Sequence, residues 1–169
     1  KVKIPSFLEI SNNNEAKEEL KELFNIVQTR DLPFQTPKPV KLLKFFVENF
    51  SDRDGIILDF FSGSASTAQA VMQLNAEDGG KRKFIMVQLP EVCAEGTEAA
   101  KSGYKNICEI GKERIRRAGD KIKDEAGLTA QGLDIGFRVL KLDDTNMNEV
   151  YYAAGDYTQD IILTMQSNI

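Results

Sequence analysis

The sequence predicts an α/β fold, a parallel sheet with helices layered on it, and three observations predict it. Apolar runs at residues 56–61, 84–89 and 135–142 are too short for helices and have the make-up of buried strands. Between and before them, apolar residues recur at three- and four-residue spacing. Glycine and proline mark the joins. An order of helix, strand, helix, strand, helix, strand is that of a doubly wound, three-layer sheet, whose ligand sits at the carboxyl ends of the strands.

In chain order, Ala16, Leu20, Leu23, Phe24 and Val27 put one apolar face on a helix over residues 15–28, with the polar stretch 11–14 available to cap it. Thr36 as N-cap and Pro37 at the first position predict a second helix with Val40, Leu43, Val47 and Phe50 as its buried stripe. Residues 56–61 (IILDFF) follow a turn-like stretch and predict a strand buried on both faces. Small residues 62–66 lead into a helix that ends at Asp78-Gly79-Gly80. Residues 84–89 (FIMVQL) form the second strand, stopped by Pro90. Tyr104, Ile107, Cys108, Gly111, Ile115, Ala118 and Ile122 mark a long helix, and residues 135–142 (IGFRVLKL) the third strand. Beyond Asp143 the pattern weakens, with a further short strand or helix expected near 161–165.

At 169 residues and 41% hydrophobic, the chain is expected to hold one core, with a helical lead-in over 1–35, an α/β part over 36–144 and an extension over 145–169. No leader or membrane-length apolar run is seen, so a cytoplasmic protein without membrane contact is expected. A net charge of -4 has the wrong sign for gripping phosphates over the whole surface. With no histidine, nucleophile–histidine pairs are excluded, and Cys93 and Cys108 alone are too few soft ligands for zinc. The basic residues Lys112, Arg114, Arg116, Arg117, Lys121 and Lys123 alternate with acidic ones and are expected on a solvated helix face.

The segment with most chemical content is DFFSGSAST at residues 59–67, between the first strand and its helix. Gly63 lets backbone approach a ligand closely and its small neighbours leave room at a helix N-terminus. A single glycine also suits a plain turn, and no Walker lysine follows, so a phosphate-cradling loop is not indicated.

Thr36-Pro37-Lys38-Pro39 before an apolar helix, then ILDFFSGSAST, then GGKRKFIMVQLPE, with ICEIGKERIRRAGDKI and LDIGFRVLKLD later, resemble the modification subunits of type III restriction systems and related adenine-N6 DNA methyltransferases. The resemblance covers about residues 33–143 and implies a Rossmann-like methyltransferase fold, incomplete here because half of the sheet is absent. It implies S-adenosylmethionine as cofactor, and gives Asp59, Phe60, Phe61, Ser62 and Gly63, with Ser64, Ala65 and Thr67, the loop that meets the methionine part. Asp59 would accept from its ammonium group. Lys38 and Pro39 match a segment that folds over the same pocket, with an exposed lysine beside a helix-starting proline as the simpler alternative. Gln88, Leu89 and Pro90 end the second strand where ribose and adenine lie.

Two positions depart from the family's pattern: Ala65 stands for a glycine, and Gln88 for an acidic residue that binds ribose hydroxyls, with Glu91 a fallback. The family's Asp-Pro-Pro-Tyr motif holds the flipped adenine. None of the five prolines here is adjacent to another, and in the family order that motif and the target-recognition region come first, so they are expected upstream of Lys1. Neither cysteine follows a proline, which excludes cytosine-C5 chemistry. The expected parent protein acts on DNA through its missing part and works with a restriction subunit, while this chain is expected to be inactive alone. The alternatives are a non-catalytic interaction domain, with a homodimer through an open sheet edge, and a nucleotide-cofactor oxidoreductase, which the lone glycine disfavours.

Overall fold

The computed structural model describes residues 11–127 and 132–143. The expected element at 161–165, and the extension it belongs to, lie outside these. The described residues through Gly136 belong to one compact unit, and Phe137 onward to a second.

The first helix, α1 (Asn13–Phe24), begins where Asn12 accepts the amides of Asn14 and Glu15 at 2.9 and 3.1 Å. It ends earlier than its apolar spacing predicts. Asn25 turns left-handed at φ 56°, and the Ile26 amide reaches back to the Lys21 carbonyl, closing the helix. Val27 therefore lies past the helix and is 87% exposed rather than on its buried face.

The second helix, α2 (Val40–Phe50), does not start at Thr36 and Pro37. Two prolines spaced two apart keep Thr36 and Lys38 out of helical backbone, and Pro39 itself is extended at ψ 127°. Glu19 of α1 takes the capping role instead, its Oε2 accepting the Val40 amide at 3.1 Å. Val40 and Val47 are buried as expected, but Phe50, at the last position, is exposed and its ring lies against that of Phe46.

Strands β1 (Ile56–Asp59) and β2 (Lys83–Met86) pair in parallel, Ile56 opposite Lys83 and Asp59 opposite Met86. Each stops before the apolar run does. Between them runs α3 (Ser66–Asp78), ended by Gly79 at φ 69°. Nine of its thirteen residues are buried, which a helix achieves only when neighbours cover it on several sides. The short residues Ser66, Thr67, Ala68 and Ala70 permit that closeness. Val71 and Leu74 of α3 pack with Val47 of α2 and with Ile57 and Phe84 of the strands.

Burial of the strands on both faces is not found. Ile56, Leu58 and Ile85 point away from that cluster and are half exposed or more, because α2 and α3 cover one face and no described helix covers the other. The third strand is also not found: residues 135–142 are described without strand structure. A strand exists through its ladder with a neighbour, and the two described strands pair only with each other.

A short helix, α4 (Glu98–Lys101), was not signalled by the apolar spacing. The long α5 (Ile107–Ala126) was, and it buries Ile110, Gly111, Ile115, Ala118 and Ile122 against α3 and α1. It also buries Arg114 completely, against the expectation of a solvated basic face, whereas Arg116 and Arg117 keep to that expectation by pairing with Glu113. At the amino ends of the strands, Arg82 is clasped by Asp78 through two bonds of 3.1 and 3.0 Å, while Asn75 bonds both the amide and the carbonyl of Arg82. No helix among the described residues is long and apolar enough to cross a membrane.

Candidate functional site

The residues between β1 and α3 form a loop that hydrogen bonds hold from both strands. The parallel ladder runs on beyond the strands, with the Val87 amide on the Asp59 carbonyl at 2.8 Å and the Ser62 amide on the Val87 carbonyl at 3.1 Å. Gly63 then turns left-handed at φ 51°, and Ala65 does the same at φ 60°. The Ala65 amide closes the turn on the Ser62 carbonyl at 2.7 Å.

Asp59, at the carboxyl end of β1, works on this loop with both oxygens. Its Oδ1 accepts the Phe61 amide at 3.2 Å and its Oδ2 the Thr67 hydroxyl at 2.6 Å. Each oxygen keeps a second lone pair, so the carboxylate can still receive an ammonium donor. Phe60 and Phe61 are 63% and 76% exposed, two apolar rings lying side by side at the strand ends. Ser64, Ala65, Ser66 and Thr67 are buried beneath the loop.

Ala65 keeps the left-handed backbone expected of a glycine. Such a conformation costs a residue with a Cβ about 1 kcal/mol or more. Its methyl is buried, facing α5 at Gly111, so it takes no space on the open side of the loop.

Gln88, just beyond the end of the second strand, holds the loop itself. Its Oε1 accepts the Gly63 amide at 2.7 Å, so the side chain braces the loop across the strand gap. The end of β2 is fixed from the other side too, where the Cys108 thiol donates to the Gln88 carbonyl at 3.3 Å. Gln88→Leu leaves a half-buried amide without its acceptor and is expected to cost about 1 kcal/mol in urea denaturation, with Gln88→Glu nearly neutral. A leucine variant as stable as the wild type would show that water replaces the brace. Leu89 and Pro90 are exposed beyond it.

Lys38 is exposed, and Pro39 is buried at the start of α2. What ties their segment to the loop is Phe34, which the sequence reading passed over: its ring tip lies 3.1 Å from where a Cβ on Gly63 would stand. An aromatic residue shortly before the Thr-Pro-Lys-Pro segment was the available signal. The N-terminus of α3 has no side-chain cap, so the loop faces amide donors and the positive end of the helix dipole. Elsewhere, a groove of about 590 Å3 along α1 is lined by Glu15, Glu18, Glu19, Lys21 and Glu22. It is a charged helix surface and holds none of the loop's groups.

Two strand ends, a left-handed loop of small residues and an uncapped helix N-terminus thus converge on one place, with a carboxylate and two exposed rings beside them. The profile of a family described as DNA methylase matches residues 4–120. The chain belongs to the DNA methylase family. It is 44% identical over 129 residues to the type III restriction-modification enzyme StyLTI Mod subunit of Salmonella typhimurium, a match over 76% of this chain and 19% of that protein. To the EcoP15I Mod subunit of Escherichia coli it is 35% identical over 153 residues, 88% of this chain and 22% of the relative. A type II methyltransferase of Klebsiella pneumoniae, M.KpnI, is 35% identical over 91 residues, 54% of the chain and 22% of the relative. The chain therefore spans about a fifth of the length of the curated relatives it matches.

Proposed function

We propose that this chain is the S-adenosylmethionine-binding part of a site-specific adenine-N6 DNA methyltransferase of a type III restriction-modification system. The observation that carries the reading is the loop after β1, with left-handed Gly63 and Ala65 and with Asp59 at its root, in a chain similar to Mod subunits. The remainder of the protein would complete a three-layer Rossmann-like sheet, hold the target base and, with a restriction subunit, act on DNA.

The residues present fit the cofactor. The uncapped amides at the start of α3 suit its carboxylate, and the free lone pairs of Asp59 suit its ammonium group. The exposed rings of Phe60 and Phe61, with Leu89 beyond β2, give apolar surface for the adenosyl part and keep water from it. Lys38 and Pro39, tied to the loop through Phe34, would close over it. When bound, the cofactor supplies a methyl group activated on a sulfonium. This chain has no Pro-Pro-aromatic motif to present adenine to that methyl, so it binds and orients the donor and catalyses nothing alone.

Isothermal titration with S-adenosylhomocysteine, with NAD as the control ligand, tests the reading. Binding of the first alone is expected. Binding of NAD alone would move the chain to the oxidoreductase class. The apolar sheet face of Ile56, Leu58 and Ile85 favours the second reading, an interaction domain that forms a homodimer. A dimer that ignores both ligands would decide for it.

A further inference from the structure

Arg114 of α5 is a buried cation whose hydrogen-bond partners are neutral. It has no exposed surface, and among the described residues no carboxylate lies in ion-pair contact with it. Its Nε donates to Gln69 Oε1 at 2.8 Å, and its Nη1 to the hydroxyls of Ser64 at 3.0 Å and Ser66 at 2.6 Å. Its Nη2 has no hydrogen-bond partner among the described residues. Burial lowers the guanidinium to about 10, with Glu19 partly opposing that.

Burying a guanidinium against neutral oxygens is costly, and a leucine or methionine would fill the space between α3 and α5 without that cost. What those residues cannot do is bond Ser64 and Ser66 together. These two serines flank Ala65, whose left-handed backbone is itself unfavourable and must be held by its surroundings. Glu19, which also caps α2 beside Pro39, brings the second expected cofactor segment into the same charge environment.

We propose that Arg114 is a positioning residue of the cofactor loop, clamping Ser64 and Ser66 from beneath so that the turn at Ala65 keeps the shape that receives S-adenosylmethionine. The proposal rests on the cofactor reading given above. It needs no contact between Arg114 and the ligand.

The test combines S-adenosylhomocysteine titration with backbone amide exchange on the full chain and its Arg114→Met and Arg114→Lys variants. Arg114→Met is expected to lower affinity about tenfold or more through lost preorganisation. It is also expected to speed exchange of the Ala65 amide while the α5 amides near Ile122 keep their rates, and Arg114→Lys should recover part of both. If Arg114→Met does not fold, Ser64→Ala combined with Ser66→Ala removes the acceptors and should give the same pair of effects. A folded variant with unchanged affinity and unchanged Ala65 exchange overturns the proposal. So does exchange that rises evenly along the chain, which marks a residue of general stability. If the wild type binds no S-adenosylhomocysteine, the cofactor reading falls, and the Ala65 exchange alone decides whether Arg114 orders the loop.

Discussion

Gly63→Val is expected to abolish S-adenosylhomocysteine binding and to destabilise the fold by about 2 to 4 kcal/mol. At φ 51° a β-branched residue is strained whatever the space around it. Its Cβ would also stand 3.1 Å from the Phe34 ring tip. The added methyls would press on Phe34, so the loop is lost by distortion and not by filling of the ligand's place. Gly63→Ala should fall between the two, because it carries the same Cβ without the branch. Titration of each variant at a temperature where circular dichroism shows it folded checks this. Wild-type affinity in Gly63→Val would remove the loop from the cofactor site.

Asp78→Ala should cost about 3 kcal/mol and leave ligand affinity per folded molecule unchanged. The variant strands Arg82, whose side chain is 2% exposed, without its carboxylate, and removing one partner of a buried pair costs about 3–5 kcal/mol. The Asp78 side chain is partly open at 20% exposure, which argues for the lower end. The clasp lies at the amino ends of the strands and the loop at their carboxyl ends, so the two effects should separate. The Arg82 hydrogen bonds hold the Asp78 carboxyl below its ordinary range. A lowered folded value means that the stabilisation is complete above the unfolded carboxylate value of about 3.9 and fades as pH falls below it. The gap between wild type and variant in urea denaturation should therefore be full at pH 7 and shrink at pH 3. A gap that is constant with pH would mean that packing, not charge, accounts for the loss.

Much of this arrangement is legible in the sequence. Gly79 and the small residues after Phe61 bound α3 closely, and the chain meets its family on the segments that carry the loop. What local pattern does not carry is which surface another element will cover. Val27 and Phe50 keep the apolar spacing of their helices, yet a left-handed Asn25 and a helix end put both in solvent. The run at 135–142 has strand composition, but composition supplies no ladder. Charge and the neighbours Glu113, Arg116 and Arg117 place Arg114 on a solvated face. Its position tells more: it lies four residues after Ile110 and three after Gly111, on the stripe that faces α3. Gln88 stands where the family has an acidic residue, and no local pattern shows that its amide oxygen accepts a backbone N–H of the loop.

Gly111 gives α5 a part in the loop's shape. A Cβ there would stand 3.2 Å from the Gly63 carbonyl oxygen and 3.5 Å from the Ala65 methyl. Positions 63, 65 and 111 therefore share one small volume, and substitutions at them cannot be independent. With the Ala65 methyl already facing that gap, any side chain at 111 meets both it and a backbone oxygen. The oxygen is the tight contact, so even Gly111→Ala requires the loop backbone to give way, while the methyl at 3.5 Å is ordinary contact that only a larger side chain would press on. The backbone of the loop thus decides whether α5 can carry a side chain at 111 at all, and the methyl at position 65 only how large it can be.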